Sequence, residues 1–316
     1  MRSGRWWRAW LAALLTACVV VPLSGAVRPG IPAPAPARIE AKTPLPVRYA
    51  AHRANAAEAA RTARAAGAER RAAALRALSG HAFLEFDARG PGRTAEVLGD
   101  LRTADRVAIL VPGSDTGIDT YARFRRGALA LRDELGPGAA VIAWLGYETP
   151  GTVSPEALTS DRAHTGAARL RAFLDRLSAY GLRARTPVTL LCHSYGSVVC
   201  ARAAHGLGPH GTPAVTDIAL YGSPGTGFAR AAELRTRARV WAGRAAHDWI
   251  GDVPHARVQL PGTTVGFGPD PVSAAFGARR FAAGDGDHSG YLKPGSTALA
   301  SLARIVRGQH PEVPHA

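Results

Sequence analysis

Apolar and polar positions change period several times along this 316-residue chain. Residues 107–111 (Val-Ala-Ile-Leu-Val) form an unbroken apolar run ending in Pro-Gly, which suits a strand buried on both faces of a parallel sheet. Residues 140–145, 188–192, 218–221 and 239–241 read the same way. Between these runs the period changes to that of a helix. The pattern predicts helices over 121–135, stopped by Gly136-Pro137-Gly138, over 157–180 with a stripe at Leu170, Phe173, Leu174 and Leu177, and over 195–205. A last helix is expected over 297–306 with Ser296 as its N-cap. Residues 83–86 and 94–98 alternate as a short hairpin around Arg89-Gly90-Pro91-Gly92. Strand–helix alternation from residue 81 onward predicts an α/β fold with one open, mostly parallel sheet and helices on both faces. Ligands in such sheets bind at the C-terminal ends of the strands.

The first 80 residues read differently. Arg2, Arg5 and Arg8 precede an apolar run over 9–23, and Ser24-Gly25-Ala26 offers small residues for cleavage, so 1–26 is expected to be a signal peptide or N-terminal anchor. Leu15-Thr16-Ala17-Cys18 also resembles a lipobox, which would make Cys18 a lipidation site. Residues 27–48 form a Pro/Ala-rich spacer. Residues 49–80 are Ala/Arg-rich and strongly helical, and are expected as a solvated helix packing loosely on the domain. The domain itself is expected over 81–308, with 309–316 as a tail. The chain is therefore expected to be secreted or associated with the cell envelope.

Charge narrows the function classes. The net charge is +15, from 39 Lys+Arg against 24 Asp+Glu. Residues 1–80 hold thirteen of those bases and three of the acids, so the part from 81 onward is only mildly basic. No basic stripe with interleaved aromatics appears there, and nucleic-acid binding is not expected. Peripheral contact with a membrane or the cell envelope through the basic N-terminal tail fits better. The two lysines, Lys42 and Lys293, do not follow a glycine, which removes P-loop nucleotide chemistry. Three cysteines without C-x-x-C spacing give no zinc site. No metal or cofactor is expected. Cys192 and Cys200 are expected as separate buried thiols.

The sharpest motif is Cys192-His193-Ser194-Tyr195-Gly196, between a buried strand and a helix. It is a G-x-S-x-G nucleophile elbow with Cys in the first glycine position. The tight turn needs small residues on either side of the serine, and it aims a helix N-terminus at charge developing there. Ser194 is thus the candidate nucleophile. A serine needs a base and a residue that orients it, in the chain order Ser, acid, His. His288, within Gly284-Asp285-Gly286-Asp287-His288-Ser289-Gly290, is the candidate base. Asp248, shortly after the strand at 239–241, is the candidate acid, with Asp252 as the alternative. His193 reads as a packing residue. Two backbone N–H groups are needed for an oxyanion hole: Tyr195 is one, and Ser114 in Val111-Pro112-Gly113-Ser114-Asp115 is the other, with Asp115 as an alternative.

Taken in order, Val111-Pro112-Gly113, His193-Ser194-Tyr195-Gly196-Ser197, Gly222-Ser223-Pro224-Gly225, the Asp248 region, Gly268-Pro269-Asp270-Pro271 and His288-Ser289 with Tyr291 resemble an actinobacterial family of α/β hydrolases grouped as a domain of unknown function. The resemblance covers about 81–308 and departs at Cys192, where the family usually has Gly. It implies an α/β-hydrolase fold with Ser194, Asp248 and His288 as triad, and implies no substrate. The short connection after Tyr221 leaves no room for a large lid, and 148–160 and 261–276 are the candidate covers. The expected activity is a serine hydrolase cleaving carboxylic esters of a small-molecule acyl substrate, short or medium in chain. An amidase, peptidase or acyltransferase with the same triad, and a non-catalytic envelope protein on this fold, are the alternatives.

Overall fold

The computed structural model describes residues 30–309. The expected leader, with Cys18, lies outside the described residues, as does the tail beyond Gln309. The chain divides into a unit ending at Ile31 and a unit from Pro32 onward, to which every element below belongs.

The Ala/Arg-rich segment forms two helices, α1 (Leu45–Ala65) and α2 (Glu69–Leu78), reversed at Gly67 in a left-handed conformation (φ 72°). Neither packs loosely. Ala56, Ala59, Ala60 and Ala63 of α1 and Ala72, Leu75 and Leu78 of α2 are buried in one cluster with Phe83 and Phe86. Alanine at these spacings lets the two helices approach closely, and the arginines occupy the other faces. Two arginines are exceptions. Buried Arg48 donates to the carbonyls of Glu40 (2.7 Å) and Ala41 (3.1 Å), and Arg71 forms a two-pronged pair with Asp119 (2.7 and 3.0 Å).

The sheet contains β1 (Phe83–Asp87), β2 (Arg93–Leu98), β3 (Arg106–Val111), β4 (Ala139–Leu145), β5 (Pro187–His193), β6 (Ala214–Tyr221) and β7 (Arg239–Gly243), while β8 (Val258–Leu260) and β9 (Thr263–Val265) make a separate hairpin. A two-residue edge strand, β10 (Arg279–Arg280), completes the order β1-β2-β4-β3-β5-β6-β7-β10. The β1–β2 and β2–β4 pairs are antiparallel and the rest are parallel. The unbroken apolar runs are explained by the two cores. Val107, Ile109 and Val111 of β3 face one cluster, and Ala108 and Leu110 face the other. Helices α4 (Asp161–Arg176) and α5 (Tyr195–Ala203) cover the first face. Helices α1, α2, α3 (Tyr121–Leu135) and α6 (Thr297–Arg307) cover the second. Ser296 Oγ caps α6 by accepting from Leu299 N–H (3.2 Å).

Helix α4 is shorter than its periodicity predicts. A 3-10 turn (Pro155–Leu158) precedes it, and Tyr195 Oη sets its start by donating to the Thr159 carbonyl (2.8 Å) and accepting from Ala163 N–H (3.1 Å). The β6–β7 connection holds only a 3-10 turn (Ala231–Leu234), so no lid domain is inserted there. Among the described residues no helix is long and apolar enough to cross a membrane.

Candidate active site

Strand β5 ends at His193 and α5 begins at Tyr195, so Ser194 carries the whole reversal. Its φ of 52° lies in the left-handed region, which is strained for a residue with a side chain. Two hydrogen bonds, one of them braced by a third, hold it there. Ser194 N–H donates to the Tyr221 carbonyl (2.9 Å), and its carbonyl accepts from Ser197 Oγ (2.6 Å), which pairs in turn with Ser223 Oγ (2.6 Å). The backbone must also come very close to its neighbours. A Cβ on Gly196 would lie 2.6 Å from the carbonyl oxygens of Val111 and Pro112, so this position accepts glycine alone.

The structure brings three of the sequence-selected side chains together. His288 Nδ1 lies 2.7 Å from Asp248 Oδ1, and His288 Nε2 lies 3.0 Å from Ser194 Oγ. A carboxylate only accepts, so Nδ1 carries the proton and Nε2 is free to accept from the serine hydroxyl. Asp248 sits at the cap of a 3-10 turn (Trp249–Asp252) and also accepts from Ile250 N–H (2.9 Å). Its other oxygen accepts from Tyr291 Oη (2.5 Å). Burial by itself would raise the Asp248 carboxyl, but the bonds from His288, Tyr291 and Ile250 outweigh it and hold the group below the ordinary carboxylate range. Burial and the Asp248 bond push the Tyr291 phenol far up, so it stays protonated and donates. Asp252, the alternative acid, is exposed at the end of the same turn and makes no bond to His288.

The two N–H candidates for an oxyanion hole border the same space. Among the described residues the N–H groups of Tyr195 and Ser114 have no acceptor, whereas Asp115 N–H donates to the Pro150 carbonyl (3.0 Å). Gly113 lies against Ser194: a Cβ there would be 2.6 Å from Ser194 Cβ. The cleft over Ser194 has a volume of about 330 Å³ and is walled by Ser114, Arg123, Phe124, Thr152, Trp249 and Leu292. Gly222 (φ 56°) packs against Asp248 and His288: a Cβ there would meet Asp248 Oδ2 at 2.9 Å and His288 Cε1 at 3.3 Å. No group of side chains among the described residues is arranged to hold a metal ion.

The cysteines correct an expectation. Cys192 and Cys200 are joined by a disulfide, with Cα atoms 6.4 Å apart. The elbow folds α5 straight back over the end of β5, which brings the second helical turn onto the residue two before the serine. Spacing along the chain does not reveal this reversal. His193 and Tyr291 are also more engaged than the sequence suggests. His193 Nε2 lies 2.8 Å from the His288 carbonyl, and Tyr291 Oη accepts from Ala245 N–H (3.1 Å) while donating to Asp248. For Tyr291 the signal was its place in the motif after His288. For His193 no sequence signal distinguished it from a packing ring.

A family model described as alpha/beta hydrolase matches residues 87–258, more than half of the chain; the match includes Ser194 and Asp248 and ends before His288. An uncharacterised protein of Mycobacterium tuberculosis is 34 % identical over 252 residues, which covers 69 % of this chain and 37 % of the relative. An uncharacterised protein of Mycobacterium bovis is 32 % identical over 149 residues, covering 43 % and 54 %. The chain thus spans between about a third and a half of the length of these relatives. Among solved structures, a lidless serine hydrolase from Xanthomonas campestris aligns with a TM-score of 0.46 at 19 % identity, over 74 % of this chain and 97 % of that one. An esterase from Mycobacterium marinum aligns with a TM-score of 0.45 at 16 % identity, over 80 % and 90 %.

Proposed function

The chain belongs to the alpha/beta hydrolase family, and we propose that it is an exported serine hydrolase that cleaves carboxylic esters through an acyl-enzyme. The observation that carries this reading is the unbroken relay from Asp248 through His288 (2.7 Å) to Ser194 Oγ (3.0 Å). His288 takes the hydroxyl proton as Ser194 attacks the ester carbonyl. The developing oxyanion is held by the N–H groups of Tyr195 and Ser114, with the N-terminus of α5 behind it. His288, kept in its tautomer by Asp248, then gives the proton to the leaving alcohol. Water activated by His288 clears the acyl group. No cofactor enters any step.

The cleft supports a small acyl substrate. At about 330 Å³ it is small, and its walls mix the rings of Trp249, Phe124, Tyr221 and Tyr291 with polar groups of Ser114, Thr116 and Arg123. Short or medium acyl groups fit it better than a long chain that needs a tunnel. The disulfide supports export, because such bonds persist in oxidising compartments and are rare in reducing ones. Peripheral contact of the basic N-terminal tail with the cell envelope fits the same localisation.

Turnover by the purified chain of p-nitrophenyl esters of graded length, beside matched anilides and a triacylglycerol emulsion, tests the reading. The expected order is short esters first, anilides and emulsion far behind. Faster turnover of anilides would make it an amidase, and faster hydrolysis of the emulsion would contradict the short-acyl reading.

A further inference from the structure

We propose that His193 is a positioning residue for this reaction: its Nε2–H, donated to the main-chain carbonyl of His288, holds the base in register with the nucleophile next door. The inference rests on the reading of Ser194 as nucleophile and His288 as its base.

His288 lies on a connection with no helix or strand, between β10 and α6, and glycines stand at 284, 286 and 290 of it. The ends of the loop are tied down. Gly284 carbonyl accepts from Ala246 N–H (2.9 Å), Asp285 carbonyl from His247 Nδ1 (2.6 Å), and Tyr291 Oη reaches Asp248 and Ala245. In between, the bonds of the main chain stay local: Ser289 N–H to Asp287 Oδ1 (2.9 Å) and Gly290 N–H to the Asp287 carbonyl (3.0 Å). Among the described residues, the His288 carbonyl is the only main-chain group of 286–290 bonded outside the loop, and its partner is His193.

That partner has a fixed place. A carbonyl only accepts, so His193 Nε2 must carry the hydrogen. The ring is wedged among His288 (centroids 4.8 Å apart), Tyr221 (5.1 Å) and Tyr291 (5.7 Å). Burial there pushes the His193 pKa down to about 3, so the ring stays a neutral donor over the working pH range. Because His193 precedes Ser194 directly, the bond ties the backbone of the base to the backbone of the nucleophile. Without it their separation is set through a glycine-rich loop. Asp248 orients the imidazole but does not fix where its Cα stands.

His193→Phe keeps a ring of similar size and removes the N–H; His193→Gln offers an amide N–H that can reach the same carbonyl. Each is compared with the native chain for kcat and KM on its best p-nitrophenyl ester, labelling rate by a fluorophosphonate probe, and melting temperature. His193→Phe is expected to lower kcat and labelling rate about 10- to 100-fold, the size of effect a displaced base produces, with KM nearly unchanged. His193→Gln is expected to restore most of both rates. A purely packing role would lower the melting temperature and leave the rates alone. A folded His193→Phe that labels as fast as the native chain overturns the proposal, and so does a His193→Gln that falls as far as His193→Phe. If His193→Phe does not fold, His193→Gln decides: retained labelling supports the bond, and a folded variant slowed more than tenfold overturns it. A native chain that does not label at all refutes the Ser194 reading instead, which keeps the two failures apart.

Discussion

Tyr291→Phe removes one oxygen from the support of Asp248 and leaves the ring that packs on Tyr221 (centroids 5.1 Å apart). That oxygen donates to Asp248 Oδ2 and accepts from Ala245 N–H, and the residue is 2 % exposed, so water cannot replace it. A hydrogen bond to an ionised acceptor contributes about 1.5–3 kcal/mol, and a buried donor left without a partner costs about 1–3 kcal/mol. Both effects pass through one atom and do not add fully, so a loss of about 3 kcal/mol is expected. In a domain of this size that lowers the melting temperature by roughly 6–12 °C. The pH dependence gives a second check. Asp248 has a depressed folded pKa, so its contribution is present above the unfolded value of about 3.9 and is lost as pH falls through the folded one. Removing the Tyr291 bond raises the folded pKa towards the unfolded value. The native chain's advantage must therefore be full at pH 7 and shrink below about pH 4, to what the unpaired Ala245 N–H leaves. Thermal melts of both chains from pH 7 to pH 3 measure this. Melting temperatures within about 2 °C at pH 7, or a difference that widens on acidification, would refute the reasoning. Because the Asp248–His288 bond survives, kcat should fall only about tenfold.

Three further outcomes are expected. Gly196→Ala places a Cβ 2.6 Å from two carbonyl oxygens, and should cut probe labelling at Ser194 by at least about 100-fold; labelling at the native rate would mean that the elbow is looser than described. Replacing Cys192 and Cys200 by Ala opens a bridge with a sequence separation of eight, and should lower unfolding free energy by about 2.5 kcal/mol in urea titrations, with no further loss when reductant is added. Leu75→Ala, at 1 % exposure in α2, should cost about 2–4 kcal/mol in the same titration; no change would show that the α1–α2 hairpin is detached from the core.

Much of this arrangement was legible because one physical requirement fixes each part. A strand buried on both faces needs an unbroken apolar run, which exposed β3 to β6. A reversal within one residue needs small neighbours, which exposed Ser194 and Gly196. An imidazole that reaches Ser194 from late in the chain needs an irregular loop, which singled out His288 as the candidate. Other parts depend on where the chain returns in space. The Cys192–Cys200 bridge follows from α5 folding back over β5. The supports from His193 and Tyr291 follow from rings that meet only after β6, β7 and the loop before α6 have been placed. The burial of α1 and α2 was hidden because alanine marks helix propensity well and a buried face poorly. The edge strand β10 is two arginines long and carries no strand signature.

Intact-mass analysis after treatment with a fluorophosphonate probe tests the central claim most directly, on the native chain beside Ser194→Ala and His288→Ala. An activated serine predicts one adduct on the native chain, located at Ser194 by peptide mapping, with none on Ser194→Ala and little on His288→Ala. A folded native chain that takes up no adduct, or one that carries it on another residue, would contradict the account.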